Sequence, residues 1–246
     1  MSFKMVGDQR KVSNLLGTGI QYIPGHIEPY VDECVQEVQK YKPKRILEIG
    51  GGGFRFISEV ITNEAIKEAL IIEPDYYALD YKKILTKIDQ LELIDLMEKK
   101  VNFFIGTDEK YFEINNIKMQ FDCIAAFRVY HFSTPEKFQN IIQKFSEIMS
   151  ENALLFLSGM CSLDYLTKEE NIFFTNSMPI NSEKYYRKLD QTNEMVRDAI
   201  TKQNLPENIL FLDMEFIERS IGKNFKVLKG PIMSTKIVAG YILQKV

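Results

Sequence analysis

The chain holds 246 residues, 45% hydrophobic and 26% charged, enough to bury a sizeable core as one α/β domain spanning 1–246. Its formal net charge of -3 and its scattered lysines exclude a basic stripe that tracks phosphates, so no nucleic-acid partner is expected, and no apolar run is long enough to cross a membrane. Cys34, Cys123 and Cys161 are odd in number, far apart and without a CxxC pair, and residues 1–19 carry too much charge for a secretory signal; these features predict a soluble, cytoplasmic protein without a metal cluster.

Ile27 to Lys40 places Ile27, Val31, Cys34, Val35 and Val38 at helical spacing, with acids early and Lys40 late, and reads as a helix packed on a sheet. Pro43 breaks that pattern. Arg45 to Ile49 (RILEI) then reads as a short apolar strand running into Gly50-Gly51-Gly52-Gly53 and a helical segment, FRFISEVITNEAIKEA. The alternation continues with LIIEPD as strand and turn and Tyr76 to Lys99 as a long helical stretch. VNFFIGTD and FDCIAAF read as strands, PEKFQNIIQKFSEIM as a helix and ALLFLSG as a strand. Strands alternating with helices predict a parallel sheet covered on both faces. Further on, FLDMEFIERSIG reads as a helix capped near Gly222, followed by FKVLK and, beyond GPIMST, by KIVAGYILQ. So short a link holds no crossover helix, and these last two strands are predicted to be antiparallel neighbours or nearly so.

The strongest constellation is Leu47-Glu48-Ile49 followed by Gly50 to Gly53, in which a carboxylate closes the first strand and glycines let the backbone approach a ligand closely. A dinucleotide fingerprint does not fit, because the third glycine of GxGxxG falls on Arg55 counted from Gly50 and on Phe56 counted from Gly51. Glu48 would also repel a pyrophosphate, whereas it would attract a ligand carrying an ammonium and a sulfonium. The alternative is a glycine turn that holds no ligand, against which stands the cost of about 1 kcal/mol per glycine relative to alanine in regular structure. Glu73, in LIIEPD, lies 25 residues beyond Glu48, close to the separation of about 20 at which an acid meets a ribose in nucleotide-binding βαβ units. An ordinary solvated acid is the competing reading of Glu73, and its position relative to the glycine turn favours the ribose.

From about Ile27 onward the chain resembles the class I S-adenosylmethionine (SAM)-dependent methyltransferase family. LEIGGGG is similar to that family's glycine-rich first motif, IIEPD to its ribose-binding acidic motif, FIGTD to its turn near the adenine, and FDCIAAF to its fourth strand. AFRVYHFSTPEKFQNIIQKFSEIMSENALLFLSG is similar to the stretch in which that strand leads through a histidine-containing loop to a helix and the fifth strand. The tail, FKVLKG to IVAGYILQKV, resembles the closing antiparallel pair and is the most specific part of the match. The resemblance implies a doubly wound, mostly parallel seven-stranded sheet with an antiparallel last strand and helices on both faces, a three-layer α/β/α sandwich. It implies S-adenosyl-L-methionine as cofactor, with Glu48, Gly50, Gly51 and Gly52 lining its methionine end and Glu73 and Pro74 at its ribose. Thr107 or Asp108 would lie near the adenine amino group, and Phe127 would flank the methyl donor. Tyr22 is a candidate to close over the cofactor. Where the family usually carries a third glycine this chain has Phe54, a departure that bears on cofactor affinity unless Gly53 supplies the clearance.

After the fourth strand stands Phe127-Arg128-Val129-Tyr130 in place of the [N/D]PP[Y/F] motif of members that methylate amino groups of DNA bases or glutamine, which argues against those acceptors. His131, just past that strand, is the candidate catalytic base, at the place where the resemblance puts the histidine of members that use one, with Glu136 five residues on. His26 reads as a loop residue. Transfer from a sulfonium depends mainly on proximity, alignment and desolvation, so a base is needed only for a nucleophile that starts protonated. The N-terminal cap segment, 1–26, and an insertion, 160–208, are expected to cover the substrate. The insertion carries Tyr165, Phe173, Phe174, Tyr185 and Tyr186, which read equally as an aromatic lid over a small organic acceptor and as packing. Methyl transfer to oxygen or nitrogen of a small-molecule acceptor is the leading expectation. The alternatives are a protein side chain as acceptor, with a long open groove, and a catalytically silent SAM-binding scaffold or partner subunit.

Overall fold

Val, Ile, Leu and Phe fill the strand segments with few interruptions, the composition of strands buried on both faces. The computed structural model describes residues 4–5, 20–21, 29–51, 54–74, 91–114, 120–160, 185–194, 196–197, 201, 206–234 and 238–246. Two-residue strands β1 (Lys4–Met5) and β2 (Ile20–Gln21) pair antiparallel, and the main sheet begins with β3 (Arg45–Ile49). It continues with β4 (Glu68–Glu73), β5 (Val101–Ile105), β6 (Phe121–Phe127) and β7 (Met149–Met160). Strands β8 (Tyr186–Lys188) and β9 (Asn208–Leu210) form a second antiparallel pair, and β10 (Phe225–Met233) and β11 (Val238–Lys245) return to the main sheet. The spatial order is β10-β11-β7-β6-β3-β4-β5. Strands β3 to β7 pair in parallel, and β11 is inserted antiparallel between β7 and β10. This is the mostly parallel seven-stranded sheet with an antiparallel last strand that the motifs imply.

Helices α1 (Pro29–Tyr41), α2 (Arg55–Val60) and α3 (Leu91–Lys100) cover one face, packing on Ile46, Ile71, Cys123, Ala125 and Phe156. Helices α4 (Asp108–Ile114), α5 (Pro135–Ile148) and α6 (Met214–Ile221) cover the other, over Leu47, Ile49, Ile72, Ile124 and Leu155. Local chemistry explains their limits. Thr134 accepts the Lys137 N–H at 3.3 Å to start α5 with Pro135 in its first turn, and Asp213 accepts the Phe216 N–H at 3.0 Å to start α6. Gly222, at φ 52, ends α6. Among the described residues no helix is long and apolar enough to cross a membrane.

Three elements differ from the sequence expectation. The helix predicted over 54–69 is α2 alone, because the Asn63 side chain accepts the Ala65 N–H at 3.0 Å and turns the chain, after which Glu68 and Ala69 already belong to β4. β10 runs through Gly230-Pro231 to Met233, with register irregularities after Val227 and after Lys229, so the link to β11 is shorter than GPIMST. Strand β7 starts at Met149, ahead of ALLFLSG. Ile27 and 75–90 of the long helical stretch lie outside the described residues, as do most of the cap segment 1–26 and much of 160–208.

The joint between α1 and the antiparallel strand is tight. Tyr30 is fully buried and donates its hydroxyl to the Tyr241 carbonyl at 2.7 Å, and a Cβ on Gly240 would lie 2.3 Å from the Tyr30 ring. Gly240→Ala is therefore expected to destabilise the protein by about 1–3 kcal/mol through overpacking, read as a lowered urea midpoint.

Candidate functional site

In open α/β sheets ligands bind outside the carboxyl ends of the strands, and here the chemistry gathers at the ends of β3, β4 and β6. Parallel register sets Glu48 beside Ile71, and residues two apart share a face, so Glu73 points to the same side of the sheet as Glu48. Both side chains are withdrawn from water, with Glu48 3% and Glu73 7% exposed. Glu48 Oε2 has no hydrogen-bond partner, while the carboxyl group meets the Ile57 backbone N–H in the first turn of α2. Burial, reinforced by the nearby Glu73 carboxylate and only partly offset by that amide, pushes the Glu48 carboxyl up to about 8. A buried carboxyl with an unsatisfied oxygen is costly, and an ammonium group would supply both the missing charge and the missing hydrogen bond.

The glycine turn lies against this carboxyl. Gly50 has φ +69, and a Cβ there would come within 2.5 Å of Val129 Cγ2. A Cβ on Gly51 would lie 2.5 Å from Ile71 Cγ2 and 3.8 Å from Glu48 Cδ. The Gly50 N–H donates to the Ile72 carbonyl at 2.8 Å, and the Phe54 N–H donates to the Gly51 carbonyl at 2.8 Å, so the turn is held to β4 and folded back on itself. Gly52 and Gly53 lie outside the described residues. Phe54 keeps a glycine-like backbone at φ 58, ψ 20, and its fully buried ring joins the core under α1 to α3, edge-to-face with Phe103. The residue in place of the third glycine thus sends its side chain into the core.

The other predicted residues are distributed as follows. Pro74 is exposed directly after Glu73. Phe127 is partly buried and meets Tyr30 and Phe56 edge-on, on the Glu48 side of the sheet. Thr107 is exposed, and its hydroxyl accepts the Lys110 N–H at 3.3 Å as a cap of α4. Asp108 accepts a 2.6 Å hydrogen bond from the Tyr130 hydroxyl. His131 is 1% exposed, in the 3-10 turn Tyr130–Phe132, near Gly159 at the end of β7 and stacked obliquely on Phe132. Glu136 is exposed in the first turn of α5. Tyr22, His26, Tyr165, Phe173 and Phe174 lie outside the described residues. Tyr185 is core packing: it is buried against Phe216, with the Arg219 guanidinium over its ring.

Sequence reasoning missed Tyr130. It is buried among Phe138 and Phe145 and carries Asp108 across from the β6 side, next to a cavity of about 210 Å3 lined also by Phe112, Ser133, Lys137 and Asn140. The hydrogen bond joins residues 22 apart on different elements, and no spacing rule marks such a pair. Tyr130→Phe is expected to cost about 1–2 kcal/mol of stability, because the Asp108 carboxylate loses a charge-assisted bond at a partly buried site; chemical denaturation would measure it.

No protein-family model and no curated protein sequence matches the chain. Among solved structures it is similar to an S-adenosylmethionine-dependent methyltransferase from Clostridium acetobutylicum, with TM-score 0.57 and 10% identity over 88% of this chain and 90% of that one. It is also similar to an O-methyltransferase from Bacillus cereus in complex with SAH (S-adenosylhomocysteine), with TM-score 0.52 and 12% identity over 96% and 86% of the two chains. A third is the N-methyltransferase NodS from Bradyrhizobium japonicum, with TM-score 0.51 and 8% identity over 88% and 97%. At these identities the likeness is one of fold, and the chain has the class I methyltransferase fold.

Proposed function

We propose that this protein is a SAM-dependent methyltransferase that acts on oxygen or nitrogen of a small-molecule acceptor. The observation that carries the reading is the buried Glu48 carboxyl, with one oxygen unpartnered, set beneath a glycine turn and on the same face as Glu73. That arrangement fits a ligand with an ammonium at one end and a ribose beyond it. SAM supplies a methyl group already activated on a sulfonium, so the protein has to bind, align and exclude water rather than activate the donor. Glu48 takes the ammonium, Gly50 and Gly51 let the turn pack closely on Val129 and Ile71 over that carboxyl, and Glu73 accepts the ribose hydroxyls beside Pro74. Asp108, held by Tyr130, stands toward the adenine, Thr107 next to it, and Phe127 flanks the reacting carbon. His131 takes the proton of an acceptor that starts protonated, which requires the acceptor to reach an imidazole that is buried in the free protein. A small acceptor is favoured because the chain has neither a basic run nor the [N/D]PP[Y/F] motif after β6.

The test is a calorimetric titration of the whole chain with SAM and with SAH. Binding is expected for both, and Glu73→Ala is expected to weaken it by about 10- to 100-fold, the value of hydrogen bonds to a charged acceptor. If neither ligand binds wild-type protein, the enzyme reading falls and a silent scaffold takes its place.

A further inference from the structure

The function proposed above leaves the charge on Glu48 unassigned, and the geometry around it decides the matter. Two carboxyls on one sheet face, both buried and with at least one oxygen unpartnered, are more stable with one of them protonated than as two anions. We propose that Glu48 holds a proton in the free protein and releases it to solvent when it takes an ammonium-bearing ligand, so that cofactor binding is linked to the loss of one proton. The inference rests on the SAM-binding reading.

The surroundings support this from each side. β4 presents Glu73, the nearby anion that opposes ionisation. β6 presents Ala125 in register with Glu48 and Cys123 two residues before it, whose buried thiol is itself pushed well up and stays neutral. α2 offers the Ile57 N–H, a dipole too weak to hold an anion alone, and carries Arg55, whose guanidinium is ion-paired with Asp32 of α1 and with Glu59. Glu48 itself stays protonated up to about pH 8 in the free protein. An ammonium placed against Oε2 reverses the balance, since it supplies the countercharge and the donor together, and the ionised form becomes the stable one. The step is balanced: a neutral carboxyl and an ammonium cation become an ion pair, and one proton passes to buffer.

The experiment titrates the full chain with SAH, which carries the same ammonium without the reactive sulfonium, at about pH 7 in buffers of different ionisation heat. Observed enthalpy plotted against buffer ionisation enthalpy gives the protons released. The expected slope corresponds to nearly one proton per SAH, and affinity is expected to rise about tenfold per pH unit up to about pH 8 and then level off. Glu48→Gln should bring the slope to zero with weakened binding, and Glu73→Gln should reduce the slope, because removing the second carboxylate lets Glu48 ionise before the ligand arrives. Binding by wild type with a zero slope overturns this inference and leaves the methyltransferase reading intact. Absence of SAH and SAM binding from about pH 6 to about pH 9 overturns both.

Discussion

Phe54→Ala is expected to destabilise the protein by about 3–5 kcal/mol, and Phe54→Gly by about 1 kcal/mol less, an order opposite to the usual advantage of alanine over glycine. The large common loss comes from the ring, which is fully buried between α2 and β5 in edge-to-face contact with Phe103. The difference between the two variants comes from the backbone. Phe54 sits at φ 58 at the start of α2, where any Cβ costs about 1–2 kcal/mol and glycine carries no such steric cost. The phenyl packing offsets that strain in the natural chain; alanine keeps the strain and loses the packing. Guanidinium unfolding of the two variants side by side measures both effects. Equal stabilities, or alanine the more stable, would show that the left-handed turn relaxes once the ring is gone.

The same residue illustrates what the sequence could convey. Strand β3, the turn that follows it and the placement of Glu48 and Glu73 at the ends of adjacent strands were legible because they depend on local features: apolar runs, a glycine cluster and two acids at strand ends. The antiparallel β10–β11 pair was legible for the same reason, since a short link forbids a crossover. Phe54 read as a defect in the motif because its backbone conformation and its destination in the core are tertiary properties. The early end of α2 was marked by Thr62-Asn63, yet Ile57, Ile61 and Ala65 keep a helical interval across the turn and outweighed it. Tyr185 in the core and Tyr130 on Asp108 depend on contacts between distant elements, which no periodicity encodes.

Glu48→Gln is expected to stabilise the ligand-free protein at alkaline pH, by an amount on the order of a few kcal/mol, although it removes a residue of the proposed binding site. Glu48 in the unfolded chain ionises near 4.5, and in the folded protein near 8. Between those values the folded state holds a proton that the unfolded state has already lost, so stability falls as pH rises. The favourable contribution is complete below about 4.5, is lost progressively up to about 8, and stays lost above it, where a buried anion faces Glu73. Glutamine keeps the shape and carries no charge, so this component of the pH dependence disappears in the variant. Urea unfolding of both proteins at about pH 5 and about pH 9 should give curves that converge at the lower pH and separate at the higher; curves that stay parallel would place the ionised Glu48 in a well-solvated site. Saturating SAH should then invert the ranking at the higher pH, because a ligand that binds only the folded state adds RT ln(1 + [L]/Kd) to its stability, and wild type alone has the anion that receives the ammonium. A site that is destabilising when empty and stabilising when filled is what selection for binding, rather than for folding, leaves in a sheet.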